Sequence, residues 1–188
     1  MTILTLANQL TLLRMLLIPG FAILVAYHQL GWALVVFLIA GVTDGLDGLI
    51  ARRSGKKTSL GAWLDPMADK LLLVTTFIVL TLPGLGLVNR LPVWLTILII
   101  SRDVVIVLTV AIVNLAVGRR TFRPSIYGKL ATATYIVTSV VVMLFNFLRQ
   151  TSPLVTVCIY ASLAVTLISG IHYITHAARI INETHADV

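Results

Sequence analysis

The sequence predicts an all-α integral membrane protein with six transmembrane helices. Its 188 residues are 59% hydrophobic and only 11% charged, whereas soluble domains are nearer to half apolar and about a quarter charged. The mean hydropathy is +1.02, and apolar runs of the length that spans a bilayer, about 18 residues or more, recur along the chain. Too little polar surface remains to coat a water-soluble globule. The length allows one membrane domain, residues 1–188, and no sizeable soluble one.

Turn signals divide the chain into its predicted spans. Glycine, proline and polar residues interrupt the apolar runs at 28–31, 83–86 and 151–153. The alternating segments of about ten residues that a membrane β-barrel needs do not recur, so we expect helices throughout. The predicted spans are 10–27, 32–51, 60–82, 92–117, 126–148 and 153–177.

Basic residues in the loops predict the orientation of the chain. Four follow the second span and three follow the fourth, whereas the three alternate loops hold only Arg90 and Arg149. Lys and Arg favour the cytoplasmic side, so both basic loops and both termini are predicted to be cytoplasmic, in a multi-pass protein of the cell (inner) membrane. The basic loop residues are Arg52, Arg53, Lys56, Lys57, Arg119, Arg120 and Arg123.

The net charge of +7 has the same explanation. Cationic loops are attracted to anionic lipid head groups at the membrane surface. Aromatic residues do not interleave with a basic stripe, as they do where proteins bind single-stranded nucleic acid. We therefore expect the lipid bilayer, and no nucleic acid, as a partner.

Carboxylates are rare, and most of them lie in one stretch of the chain. Of seven acidic residues, four fall within 26 residues: Asp44, Asp47, Asp65 and Asp69. A charge inside a span costs several kcal/mol unless it is paired or hydrated, so such residues mark functional sites. The spacings of three and four put each pair on one helix face. A short loop joins the two spans, so the two acidic faces are expected to meet near the cytoplasmic side.

Four carboxylates at one place repel one another unless a cation lies between them. An all-oxygen set of ligands suits Mg²⁺, Mn²⁺ or Ca²⁺, and a cluster of this size could hold two ions, as in many phosphoryl-transfer sites. A structural alternative is a set of ion pairs with Arg14, Arg52, Lys70 or Arg102. A cation transporter is a further alternative, but transporters place such acids near the midplane, often in repeated and broken helices.

Three glycines, Gly45, Gly48 and Gly61, lie beside the aspartates. One explanation is helix packing, since Gly41 and Gly45 form a GxxxG pair. The other is a groove in which a substrate lies against the helix backbones. Their interleaving with four aspartates favours the groove.

The stretch 44–69 resembles the signature of the CDP-alcohol phosphotransferases. That signature is D-x-x-D-G-x-x-A-R, eight residues, then G-x-x-x-D-x-x-x-D, and every fixed position is present. The segment 8–14, Asn-Gln-Leu-Thr-Leu-Leu-Arg, is similar to the N-terminal segment of that family. The resemblance implies a homodimer with a polar cavity open to the cytoplasm. It also implies phospholipid biosynthesis by transfer of a phosphatidyl group from CDP-diacylglycerol to an alcohol, with release of CMP and with Mg²⁺ or Mn²⁺, two ions, as cofactor.

The resemblance also implies roles for single residues. Asp44, Asp47 and Asp65 match metal ligands, and Asp69 matches both the proposed general base and a possible ligand of a second ion. The positions assigned to the nucleotide and donor are Asp44, Thr11, Gly48, Ala51, Arg52 and Gly61.

A second set of basic residues, in the fourth span, the loop after it and the start of the fifth span, indicates which acceptor the enzyme uses. Arg binds phosphate in a bidentate manner, so these residues could clamp an acceptor phosphate, although orientation and attraction to lipid explain them as well. The overall length and this basic set resemble the branch of the family that makes phosphatidylglycerophosphate from glycerol 3-phosphate, which we expect here. The stretch 99–104, Ile-Ile-Ser-Arg-Asp-Val, is instead similar to the branch that uses phosphatidylglycerol, which is the alternative. The basic set is Arg102, Arg119, Arg120, Arg123 and Lys129.

Overall fold

The structure is a computed structural model that describes residues 6–54, 59–117 and 125–186. Every secondary-structure element in those ranges is an α-helix, and each predicted span coincides largely with one helix, so the expectation of an all-helical chain is confirmed there. The helices are α1 (Leu6–Ala26), α2 (Leu30–Ser54), α3 (Ser59–Thr81), α4 (Val93–Val117), α5 (Ile126–Phe147) and α6 (Pro153–Ala186).

Hydropathy along these helices indicates a membrane protein. Over the described residues, three stretches are long and apolar enough to cross a bilayer: Gln9–Ala26, Ile126–Phe147 and Pro153–Thr175. The first part of α2, Leu30–Thr43, is a shorter apolar stretch. Many large apolar side chains, Leu16 among them, are exposed, which suits a surface that faces lipid.

The last helix is longer than predicted. The predicted span ends at 177, whereas α6 continues to Ala186 and has 34 residues. Such a helix is about 51 Å long, more than the roughly 30 Å of a hydrocarbon core. The helix therefore continues beyond its apolar stretch, because Ala, Arg and Glu in 178–186 favour a helix where hydropathy no longer indicates a span.

The helices form two compact units. The first comprises Met1–Arg90 and Val142–Thr151, and the second comprises Leu91–Val141 and Ser152–Val188. In the first unit α1 packs against both α2 and α3, and in the second α4 packs against α6.

The seam of the first unit follows helical periodicity. Ile18, Phe21 and Val25, spaced by three and four residues, are buried along α1. Phe21 contacts Phe37 of α2, with ring centroids 6.0 Å apart. This seam holds α1 against the helix that carries the first aspartate pair.

Hydroxyl groups of α6 bind its neighbours in the second unit. Ser162, Thr166 and Ser169 are buried and again spaced by four and three residues. The hydroxyls of Ser162 and Thr138 share a hydrogen bond of 2.8 Å, and those of Thr166 and Tyr135 one of 2.7 Å. Such polar contacts stabilise helix pairs in an apolar medium.

Buried amides join the α3–α4 loop to the end of α5. The backbone N–H of Asn89 donates to Oδ1 of Asn146 at 2.9 Å, and Nδ2 of Asn146 donates to the carbonyl of Asn89 at 2.8 Å. Nδ2 of Asn89 donates to the carbonyl of Gln150 at 2.7 Å. Buried amides are stable when they are paired in this way, so the loop is held in place.

The end of α1 is a Schellman cap. The N–H of Gln29 donates to the carbonyl of Leu24 at 2.8 Å, and the N–H of His28 donates to the carbonyl of Val25 at 3.0 Å. His28 has a φ of 59° and takes the left-handed position at which glycine is usual.

The end of α5 repeats this cap. The N–H of Gln150 donates to the carbonyl of Phe145 at 3.0 Å, and the N–H of Arg149 donates to the carbonyl of Asn146 at 3.1 Å. Arg149 takes the left-handed position with a φ of 53°. A side chain there costs about 1 kcal/mol relative to glycine, so both caps carry a strained, polar residue.

Candidate active site

The four predicted aspartates lie on two helices of the first unit, Asp44 and Asp47 on α2, Asp65 and Asp69 on α3. The helices are continuous through these positions, so each pair lies on one helix face. The structure describes the side chain of Asp69, while the other three side chains lie outside what it describes.

The two aspartate pairs lie at matching distances from the connection between α2 and α3. Only four residues, 55–58, separate α2 from α3, and such short connections join antiparallel helices. Asp47 and Asp65 lie seven and six residues from the connection, and Asp44 and Asp69 each lie ten. With a rise of 1.5 Å per residue, we expect two levels, about 10 and 15 Å from the connection.

Asp69 forms an ion pair with Arg14 of α1. Nη1 of Arg14 donates to Oδ1 of Asp69. The guanidinium side chain is fully buried, whereas that of Asp69 is 41% exposed, which leaves part of the carboxylate accessible. One of the ion pairs considered as a structural explanation is therefore present, and it fixes the position of Asp69.

The predicted donor residues lie on α1, α2 and α3, the helices that carry Arg14 and the aspartates. Gly48, Ala51 and Arg52 are on α2 and Gly61 is on α3, with their side-chain surroundings outside what the structure describes. Thr11 lies on α1 one turn before Arg14 and is fully buried.

Gly41 makes no close contact with a neighbouring helix within the described part of the chain. A Cβ built on Gly41 would meet no atom within 4 Å in the described part of the chain. A GxxxG contact requires a neighbouring helix at that distance. The GxxxG explanation for Gly41 and Gly45 is therefore not supported within this unit.

The donor atoms available at the aspartate positions fit a divalent cation. All four side chains offer oxygen, the ligand that Mg²⁺ and Mn²⁺ prefer. Arg14 is paired with Asp69, so one of the four negative charges has a protein partner. A divalent cation bound between the two helix faces would balance the charge of the other three.

In the second unit, Arg102 of α4 lies against α5 and α6. Its Nη1 donates to Oδ1 of Asp103 at 2.7 Å, and its Nη2 donates to the hydroxyl of Ser169. A Cβ on Gly128 would lie 3.7 Å from Nη2, and one on Gly170 would lie 3.8 Å from Cγ. A Cβ at either position would be in ordinary van der Waals contact with Arg102, so its side chain lies close to both helix backbones.

One N–H group of Arg102 makes no hydrogen bond within the described part of the chain. Its side chain is 11% exposed, and its Nε is buried without a hydrogen-bond partner among the described residues. A buried donor without a partner costs free energy, so this edge of the guanidinium is suited to an acceptor group that the chain does not supply.

The structure describes only one of the other four basic residues of the predicted phosphate clamp. Lys129 follows Gly128 at the start of α5 and is exposed, while Arg119, Arg120 and Arg123 lie outside the described residues. Ser169, the partner of Arg102, was missed in the sequence, although Ser and Thr at helical spacing in an apolar span were a signal for it.

Comparison with known proteins supports the sequence signature. The profile of the CDP-alcohol phosphatidyltransferase family matches residues 4–170. The chain is 37% identical over 186 residues to the "Probable phosphatidylglycerophosphate synthase" of Mycobacterium tuberculosis, which covers 93% of this chain and 82% of that protein.

Other relatives carry a different name. The "Cardiolipin synthase (CMP-forming)" of Streptomyces coelicolor is 37% identical over 118 residues, covering 60% of this chain and 53% of that protein. The human protein of the same name is 41% identical over 107 residues, covering 56% of this chain and 34% of that protein.

The residues matched by the family profile, 4–170, include both aspartate pairs. The chain therefore belongs to the CDP-alcohol phosphatidyltransferase family, and it is a membrane transferase of phospholipid biosynthesis that uses CDP-diacylglycerol.

Proposed function

We propose that the enzyme transfers the phosphatidyl group of CDP-diacylglycerol to glycerol 3-phosphate, which releases CMP and gives phosphatidylglycerophosphate. The observation that carries this proposal is the extent of the similarity. The relative named phosphatidylglycerophosphate synthase matches 93% of the chain, whereas relatives named cardiolipin synthase or "Putative cardiolipin synthase" match 56% to 72%.

The aspartate site supports the transfer step. Divalent ions bound there would neutralise the pyrophosphate oxygens of the donor and stabilise the leaving CMP. Asp44, Asp47 and Asp65 would hold them, with Asp69 as a possible ligand of a second ion.

Asp69 is suited to accept the proton of the acceptor. The hydroxyl oxygen of the acceptor attacks the phosphorus that carries diacylglycerol, the P–O bond to the CMP phosphate breaks, and CMP leaves with the electron pair. The hydroxyl proton passes to Asp69, whose exposed part can reach a substrate. Arg14 positions this carboxylate.

Arg102 supports an acceptor that carries its own phosphate. Its spare Nε lies in a largely buried place, where an anion without a cation would be costly. Lys129, Arg119, Arg120 and Arg123 would complete the clamp. Phosphatidylglycerol, which also has a phosphate, is the second candidate, and the stretch 99–104 favours it.

An acceptor panel tests the proposal. We expect CMP release with CDP-diacylglycerol and glycerol 3-phosphate, and Arg102→Gln is expected to raise the acceptor KM about tenfold or more, since a charge-assisted contact contributes about 1.5–3 kcal/mol. The KM for CDP-diacylglycerol should change little. The double variant Arg102→Gln/Asp103→Asn controls for the carboxylate that loses its partner, and Arg90→Gln is the control for charge alone.

Two results would contradict the proposal. Synthesis of cardiolipin from phosphatidylglycerol, with glycerol 3-phosphate ignored, would make phosphatidylglycerol the acceptor. An equal rise of both KM values in Arg102→Gln would remove Arg102 from the acceptor clamp.

The loop charges support a full membrane topology. We propose that all six helices cross the cell membrane, that both termini and the aspartate end of α2 face the cytoplasm, and that the polar cavity opens there. The resemblance to the family further supports a homodimer, which light scattering of the detergent-solubilised enzyme checks.

Cysteine labelling tests this orientation. In a variant that lacks the buried Cys158, a cysteine at Ser54 should be protected from an impermeant thiol reagent in intact cells. A cysteine at the exposed Thr151, in an alternate loop, should be labelled. The reverse pattern would invert the topology and place CMP release outside the cell.

A further inference from the structure

We propose that a cavity at the other end of the first unit binds an anionic phospholipid. The cavity has a volume of about 940 Å³ and lies between the α1–α2 turn, the α3–α4 loop and the end of α5. This volume lies within the range of ligand sites, roughly 300–1,000 Å³.

The cavity is distinct from the aspartate site. Leu30, which begins α2, lines it, and Asp44 lies fourteen residues further along the same continuous helix. The two positions are thus about 21 Å apart along the helix axis. A head group bound in this cavity would therefore lie far from the aspartates.

The position of the cavity matches the level of lipid phosphates. His28 and Arg149 line it, and each follows by two residues the end of an apolar stretch that can cross the membrane, Gln9–Ala26 and Ile126–Phe147. The ends of such stretches lie where the hydrocarbon core meets the head groups. The exposed Trp32, which also lines the cavity, is a residue typical of this level.

The lining is divided as a phospholipid requires. Trp32, Val35 and Phe147 offer apolar surface, and all three are exposed, so an acyl chain can lie against them. His28 and Arg149 offer hydrogen-bond donors. Among the described residues the lining contains no Asp or Glu, and neither ion pair of those residues involves Arg149. An anionic phosphate is therefore the complementary group, and the apolar surface favours a lipid over free phosphate.

The backbone conformation around the cavity gives an independent reason to propose a binding site there. His28 and Arg149 are the two non-glycine residues with positive φ in the part of the chain that the structure describes, and both line this cavity. Gly86, with a φ of 55°, lines it too, and a Cβ there would lie 3.5 Å from Cε1 of His28. Glycine would serve both helix caps with less strain. Strained residues that persist together mark a functional site.

Glycine substitutions give a sharp test, because they remove the side chain and suit the backbone. The purified full-length enzyme is titrated with phosphatidic acid, which has no alcohol to act as acceptor, in phosphatidylcholine nanodiscs, and the bound lipid is counted by native mass spectrometry. We expect Arg149→Gly to bind phosphatidic acid about fivefold more weakly, the effect of one basic residue near a membrane surface. His28→Gly/Arg149→Gly should bind it more weakly still. Both variants should keep or raise the Tm, and Arg149→Asn, which also adopts this conformation, is a second variant with the charge removed.

Arg90→Gln is the matched control, since Arg90 is exposed, lies in the same α3–α4 loop that borders the cavity and does not line it. It should bind phosphatidic acid as the wild type does. Four results would overturn the proposal: unchanged affinity in the double variant, equal retention of phosphatidylcholine at this site, a lower Tm in the glycine variants, or a disulfide between two chains carrying Arg149→Cys, which would assign the cavity to a second copy.

Discussion

Asp47→Asn is expected to abolish phosphatidyl transfer while the protein still folds and inserts. The substitution removes one charged ligand from a set in which Asp44, Asp47, Asp65 and Asp69 lie in pairs on α2 and α3. Divalent ions stabilise the transition state of such reactions by several kcal/mol, so the loss in kcat is expected to be about a thousandfold. Glu183→Gln, on α6 and outside both proposed sites, is the control and should keep full activity.

The same experiment has a readout that does not depend on turnover. Excess chelator should abolish the activity of the wild type, and Mg²⁺ or Mn²⁺ should restore it. Electron paramagnetic resonance should detect Mn²⁺ bound to the wild type, two ions per chain, and fewer ions on Asp47→Asn. Full activity in excess chelator, or equal Mn²⁺ binding by both proteins, would rule out the metal site.

Replacing Asp69 is expected to separate stability from activity. Asp69→Ala leaves the fully buried guanidinium of Arg14 without this partner. Breaking a buried ion pair costs about 3–5 kcal/mol, and the 41% exposure of Asp69 places the expected loss at the lower end, about 3 kcal/mol or less. Asp69→Asn keeps an oxygen that accepts the hydrogen bond but loses the charge and cannot take up a proton, so it should be inactive and should lose less stability than Asp69→Ala.

A matched control distinguishes the ion pair from a general effect of α3. Met67→Ala alters another residue of the same helix, which is exposed, and should change the Tm little. The coupling between Arg14→Met and Asp69→Ala in a double-mutant cycle measures the pair itself. If Asp69→Ala unfolds no more easily than Met67→Ala, or if Asp69→Asn retains wild-type turnover, the role assigned to the pair is wrong.

Local sequence patterns predicted most of the fold and the aspartate pairs of the site. Apolar runs bounded by glycine and proline predicted six helices, because a backbone in hydrocarbon must satisfy its own hydrogen bonds. The spacings of Asp44 to Asp47 and of Asp65 to Asp69 predicted paired faces, since three and four residues make about one helical turn. The end of α6 at Ala186 was missed because the helix continues where hydropathy falls.

The sequence by itself determined the helical class, the membrane location, the family and the positions of the four aspartates, because each depends on composition or on the spacing of residues along a short stretch of chain. Which distant side chains contact each other was decided only by the tertiary structure. Arg14 meets Asp69 from 55 residues away and Arg102 meets Ser169 from 67, and the caps at His28 and Arg149 come to line one cavity. No spacing rule predicts such pairs, because which distant side chains meet depends on how the helices pack and on where each helix ends.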